Sequence, residues 1–171
     1  MPQKLDFSPG DLVVYPSHGV GRLEKIETYS IGGTDVTFYA IFFENNRMTL
    51  KIPVGKAKAA GLRRLSSKDR LTDALKTLQG KAKVRRIMWS RRAQEYEAKI
   101  NSGDPVQVAE VVRDLYRAAD QPEQSYSERQ IYQAALERLA REYAAVEKID
   151  GEKAIERLEA QINKARGKVA A

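Results

Sequence analysis

A chain of 171 residues has room for one medium domain or two small ones, and its 31% charged and 42% hydrophobic residues exclude a disordered or membrane-embedded protein. It has no cysteine and one histidine, which excludes disulfides, cysteine-based zinc sites and thiol catalysis and suits a reducing cytoplasm. The 30 Lys and Arg against 23 Asp and Glu leave a net charge of +7, compatible with a polyanionic partner without requiring one.

The first residues, MPQKLDFSPGD, lack the apolar core of a signal peptide, so export is not expected. No apolar run approaches the roughly 18 residues that a membrane-spanning helix needs. Residues 1–64 carry nine Lys/Arg and six Asp/Glu, and residues 65–171 the other 21 and 17, so the basic surplus is not a tail.

Up to residue 64 the pattern is that of strands. DLVVY (11–15), GRLEKIETYS (21–30), VTFYAIFFE (36–44) and RMTLKI (47–52) are rich in β-branched and aromatic residues. Turn signals separate them: Pro9-Gly10, Pro16-Ser17-His18-Gly19, Gly32-Gly33 and Asn45-Asn46. Four or five short strands with tight turns predict a small twisted antiparallel sheet or SH3/Tudor-like barrel, since crossover helices have no room. Within 36–44, Phe38 and Phe42 fall on one face and Tyr39, Ile41 and Phe43 on the other. One face builds the core, and the other needs a cover or a partner.

From residue 65 the period becomes helical and predicts an all-α domain of about five helices, giving a two-domain α+β chain. Ser66-Ser67-Lys68-Asp69 is a capping signal ahead of Leu71, Leu75 and Leu78. Asp104-Pro105 supplies an N-cap and a first helical residue, followed by the stripe Val108, Val111, Val112 and Leu115. Ser127 with Gln130 reads as another capping box, ahead of Tyr132, Ala135, Leu136, Leu139, Tyr143 and Val146. A last helix is predicted from Glu152 to about Arg166, with Ile155, Leu158 and Ile162 on its apolar side.

No residues support catalysis, and neither a metal site nor a cofactor is expected. His18, inside a Pro/Gly turn, has no second histidine or cysteine to complete a triad or metal site. Gly19-Val20-Gly21 resembles part of a dinucleotide fingerprint but lacks the third glycine and the following helix. The carboxylates lie mostly beside Lys or Arg on helical faces, as solvated pairs do. The informative stretch is KAKVRRIMWSRR (81–92): Lys81, Lys83, Arg85, Arg86, Arg91 and Arg92 surround the single tryptophan, Trp89, without an acid. Cations neutralise phosphates, and a planar ring can wedge at a base step, so this is a candidate DNA-facing edge. Trp89, Ala93, Tyr96 and Ile100 also share a helical spacing that would make Trp89 core. Ser90 reads as a plausible N-cap, which would set Trp89 just before the helix. The pattern leaves core and contact both open.

FSPGDLVVYPSHGVG (7–21), with Ile26-Glu27, resembles the start of the CarD/CdnL family and of the polymerase-interacting module of transcription-repair coupling factors. Lys51-Ile52-Pro53-Val54 and Gly61-Leu62-Arg63 continue the pattern. In the second half, Trp89-Ser90-Arg91-Arg92, Ser102-Gly103-Asp104, VAEVVRDL (108–115) and YSERQIYQAALERLAREYA (126–144) are similar to the helical domain of CarD/CdnL proteins, which coupling factors lack.

The resemblance implies a bacterial transcription regulator with a Tudor-like domain over 1–64 and a helical domain over 65–171. The first would dock on the β subunit of RNA polymerase through Ile41, Thr49, Lys51 and Pro53. The second would meet promoter DNA at the upstream edge of the bubble, with Trp89 in the minor groove and Arg91, Arg92, Arg85 and Arg86 beside it. The resemblance thus implies a cytoplasmic protein associated with the nucleoid through polymerase, and the sparse apolar surface outside 36–54 points to a monomer. Tyr29 and Lys51 stand where some relatives place arginine, and Gln94 replaces a basic residue. Two other readings remain open: a free-standing nonspecific DNA-binding protein, and a helical adaptor that binds only protein.

Overall fold

Alternating apolar residues build the described residues of the first unit into one antiparallel sheet of five strands. They are β1 (Leu12–Tyr15), β2 (Gly19–Ile31), β3 (Thr34–Phe43), β4 (Met48–Pro53) and β5 (Arg63–Arg64), in the spatial order β4-β3-β2-β1-β5. The computed structural model describes residues 5–117, 122 and 124–170, with side chains as far as 166, and divides into units Met1–Leu65 and Ser66–Ala171. The β2–β3 turn is Gly32-Gly33, both with positive φ (58° and 81°), which a tight hairpin of the primed type needs. A single helical turn, α1 (Val54–Ala57), follows β4 and was not foreseen from the strand pattern.

The face parity expected of β3 holds. Tyr39, Ile41 and Phe43 are buried together with Val13, Leu23 and Ile52, and Phe7 closes on Tyr39 edge-on at 5.6 Å. Gly21 lies under this cluster: a Cβ there would sit 2.7 Å from both Ile41 and Phe43. Close packing, and not phosphate binding, therefore accounts for the second glycine of Gly19-Val20-Gly21, which opens β2 instead of a helix. His18 is a packed turn residue, its ring stacked on Tyr15 at 5.6 Å and 5.3 Å from Phe43.

Among its described residues the second unit has five helices: α2 (Lys68–Leu78), α3 (Trp89–Asn101), α4 (Pro105–Leu115), α5 (Tyr126–Glu147) and α6 (Gly151–Ala170). The predicted valine stripe makes α4 its centre, with Val111, Val112 and Leu115 fully buried and α2, α3 and α5 packed around it. Leu158 and Ile162 of α6 join the same core. Ser67 accepts the Arg70 amide at 3.1 Å and Asp104 accepts that of Val106 at 3.1 Å, so both predicted caps form.

Two helix starts differ from expectation. α3 begins at Trp89 and not after Ser90: the Arg91 and Arg92 amides both bond to the Met88 carbonyl at 3.1 Å, which draws Ser90 into the first turn. α5 is capped by Ser125, whose hydroxyl accepts the Glu128 amide at 3.2 Å, and Ser127 lies inside the helix. The last helix starts at Gly151, one residue early, and extends past Arg166.

Candidate functional site

Two polar clusters that include an aromatic residue stand out, one around Glu27 on the sheet and one around Trp89 in the helical unit. On the sheet, residues opposite one another in neighbouring strands share a face. The register sets Lys25 and Lys51 on either side of Ala40, Glu27 and Pro53 on either side of Phe38, and Tyr29 beside Val36. Glu27 is the centre of this outer face. Its carboxylate lies 2.6 Å from Lys25 Nζ and 3.0 Å from Lys51 Nζ, and accepts the Tyr29 hydroxyl at 2.5 Å. Lys51 also donates to the Tyr29 oxygen at 2.9 Å, and the Tyr29 ring meets Phe38 edge-on at 5.8 Å.

The electrostatics follow from that geometry. The hydrogen bond from Lys25, then those from Tyr29 and Lys51, hold the Glu27 carboxyl at about 2, below its ordinary 4.5. Tyr29 first, then Glu27, raise Lys51, and Glu27 raises Lys25. The cluster pairs both lysines with one carboxylate, keeps a net charge of +1 and remains at the surface.

Thr49 and Lys51 are exposed and Pro53 half-buried, alternating along the outer face of β4, which is an edge strand. Ile41 does not join them. It is 0% exposed on the opposite face, packed in the core, and offers no side-chain surface to a partner. Its own face parity, shared with Tyr39 and Phe43, already pointed inward. Half-buried Phe42, opposite Thr49, occupies the outer face instead. Lys25 and Glu27 were given no role from sequence, although Lys25-x-Glu27-x-Tyr29 alternates as residues on one strand face do.

In the helical unit, Trp89 is half-buried against the core, between the two readings of its spacing. Its indole N–H donates to Ser127 Oγ at 3.1 Å. The Arg92 guanidinium lies 5.3 Å from the Trp89 ring centroid and 5.6 Å from that of Tyr96, whose hydroxyl it donates to at 3.1 Å. Arg92 is thus half-buried on two rings, and its Nε is buried without a hydrogen-bond partner among the described residues.

Arg85, Arg86 and Arg91 are exposed. Arg85 pairs with Glu95 at 2.6 Å, whereas Arg86 and Arg91 make no ion pair with any described residue. Met88 and Tyr126, 75% and 78% exposed, stand next to Trp89 and Ser127 in the chain. The irregular basic segment before α3 is tied down by Asp114, whose buried carboxylate accepts the Lys83 amide and Arg113 Nε, each at 2.9 Å. Ser127 was assigned to capping from sequence, and its contact with Trp89 was missed.

Among the described residues no group of His, Asp and Glu could hold a metal, and no helix is long and apolar enough to cross a membrane. Residues 7–66 match the family described as CarD-like/TRCF RID domain, and residues 73–159 match the one described as CarD, C-terminal domain. YdeB of Bacillus subtilis (strain 168), whose name proposes a transcription factor, is 31% identical over 143 residues, which is 84% of this chain and 94% of that protein. The solution NMR structure of the 72-residue N-terminal domain of Myxococcus xanthus CarD is similar at 33% identity, covering 37% of this chain and 84% of that one, with a TM-score of 0.31.

Proposed function

The chain belongs to the CarD family, and from that membership we propose a bacterial transcription regulator that docks on the RNA polymerase β subunit and stabilises the promoter open complex. The sheet unit is the docking module. The edge strand β4 has one side free of strand neighbours among the described residues, and a partner strand can add to such an edge while side chains on the adjoining face set specificity. Thr49, Lys51 and Pro53 are the contacts we assign there, with Phe42 taking the place of Ile41.

The helical unit is the DNA-contacting module. The observation that carries this reading is the half-buried indole of Trp89 beside Arg86 and Arg91, two exposed cations without an ion pair among the described residues. Such cations release counterions from phosphates, and a ring anchored on one side can wedge into the minor groove at an unstacked step. The upstream edge of the bubble supplies an unstacked step. Tethering to polymerase raises the local concentration of the module, so weak intrinsic DNA affinity suffices.

Open-complex decay with the full chain and polymerase tests the proposal. Adding the chain should lengthen the lifetime, and Trp89→Ala should remove most of that effect while polymerase binding stays normal. Equal, salt-dependent DNA binding with and without polymerase would instead favour the free-standing DNA-binding protein.

A further inference from the structure

Trp89 opens α3 and Ser127 is the second residue of α5, so the hydrogen bond between them ties together the starts of two helices. The serine is free for this contact because Ser125 caps α5. A Ser127 cap would have spent the same hydroxyl on a backbone amide of its own helix. The indole is thus held at its polar edge by Ser127 and covered on one face by Arg92. Without such restraints a side chain at a helix start exchanges among staggered rotamers.

We propose that Ser127 is a positioning residue for Trp89: its hydroxyl holds the indole N–H and presents the ring to DNA in one orientation. The proposal rests on the reading of Trp89 as a DNA contact and goes beyond it in one respect. Because the protein already uses the indole N–H, the ring meets DNA through its carbon edge and free face. It contributes stacking and wedging, and reads no base by hydrogen bonding. Preference at that step then follows ease of unstacking.

The chain has one tryptophan, so its indole proton gives a single signal whose hydrogen exchange reports this bond without polymerase or DNA. Ser127→Ala should speed that exchange roughly two- to ten-fold, the range one net hydrogen bond allows. Any loss in thermal unfolding should stay within that of the same single hydrogen bond, because Ser127 is exposed and fills no core space. Ser127→Thr keeps the hydroxyl and should restore both the exchange rate and the open-complex lifetime. In open complexes, Ser127→Ala should shorten the lifetime, by less than Trp89→Ala does. Unchanged indole exchange in Ser127→Ala overturns the proposal whatever Trp89→Ala does. Faster exchange with a normal lifetime, where Trp89→Ala shortens it, overturns the positioning role. A normal lifetime for Trp89→Ala overturns the DNA reading and the proposal with it, and the persisting exchange difference then separates this failure from the first.

Discussion

On the sheet, Lys25 and Lys51 close on Glu27 at 2.6 and 3.0 Å, and Tyr29 closes the ring of contacts. Around the start of α3, Arg86 and Arg91 reach no carboxylate among the described residues, and Arg92 lies on aromatic rings. Both surfaces are basic and aromatic, yet on the sheet both lysines reach a shared carboxylate, whereas in the helical unit Arg85 pairs with Glu95 and Arg86 and Arg91 pair with no described residue. A self-paired face suits a protein partner, where unpaired charge would have to be desolvated on docking. Open cations suit phosphates, whose counterions they displace.

The largest expected effect separates the two faces of the sheet. Ile41→Ala should cost about 2–5 kcal/mol of stability, as truncation of a buried aliphatic does. Thr49→Ala, on the exposed face, should stay within about 0.5 kcal/mol. Urea unfolding of both variants checks this, and equal costs would mean that the two faces are not distinct.

Lys51→Glu comes next. It removes a donor from Glu27 and sets a like charge beside it, so polymerase binding should weaken by about 1–3 kcal/mol if Lys51 is a central contact. Titration calorimetry with the full chain measures it. Trp89→Ala should cost about 1–2 kcal/mol in stability, below the ~3–5 kcal/mol of a fully buried aromatic, because part of the ring already faces solvent. Its larger consequence should be faster open-complex decay. A stability loss at the buried-aromatic level with unchanged decay would return Trp89 to the core.

Local chemistry was readable in the sequence wherever one segment decides the outcome. The β3 alternation sorted Tyr39, Ile41 and Phe43 from Phe38 and Phe42, and Asp104-Pro105 marked a helix start that the structure keeps. Ser125 and Ser127 show the limit. Each is followed three residues later by Glu128 or Gln130, so both satisfy the capping pattern. Sequence spacing does not choose between them: Ser125 caps, and the Ser127 hydroxyl accepts from Trp89, 38 residues away. The Glu27 cluster was hidden for a similar reason. Lys51 joins Lys25 and Glu27 only through the register of both hairpins, which sequence spacing alone does not set.

Salt distinguishes the two surfaces further. Arg91→Ala should lower the salt slope of DNA binding within the polymerase complex by about 0.9, the share of one phosphate contact. Thr49→Ala should leave that slope unchanged. Equal slopes for wild type and Arg91→Ala would remove Arg91 from the phosphate contacts.

The smallest effect is on acid stability, and it isolates the internal pairing of the sheet face. Glu27 ionises at about 2 instead of its ordinary 4.5, because Lys25, Tyr29 and Lys51 hydrogen-bond its carboxylate. A depressed folded-state value means that the fold favours the ionised form. The contribution is therefore fully present above 4.5 and is lost as pH falls through 4.5 towards about 2. Lys25 and Lys51 stay charged across that window, since both are raised. Wild type should thus be more stable than Glu27→Gln above the window, and the two should converge within it as Glu27 protonates. The difference should shrink in high salt, because the cluster lies at the surface. A constant separation between the two unfolding curves across the whole acid range would mean that Glu27 acts through packing and not through its charge. The contrast between the lysines paired on the sheet and the unpaired Arg86 and Arg91 would then lose its electrostatic basis.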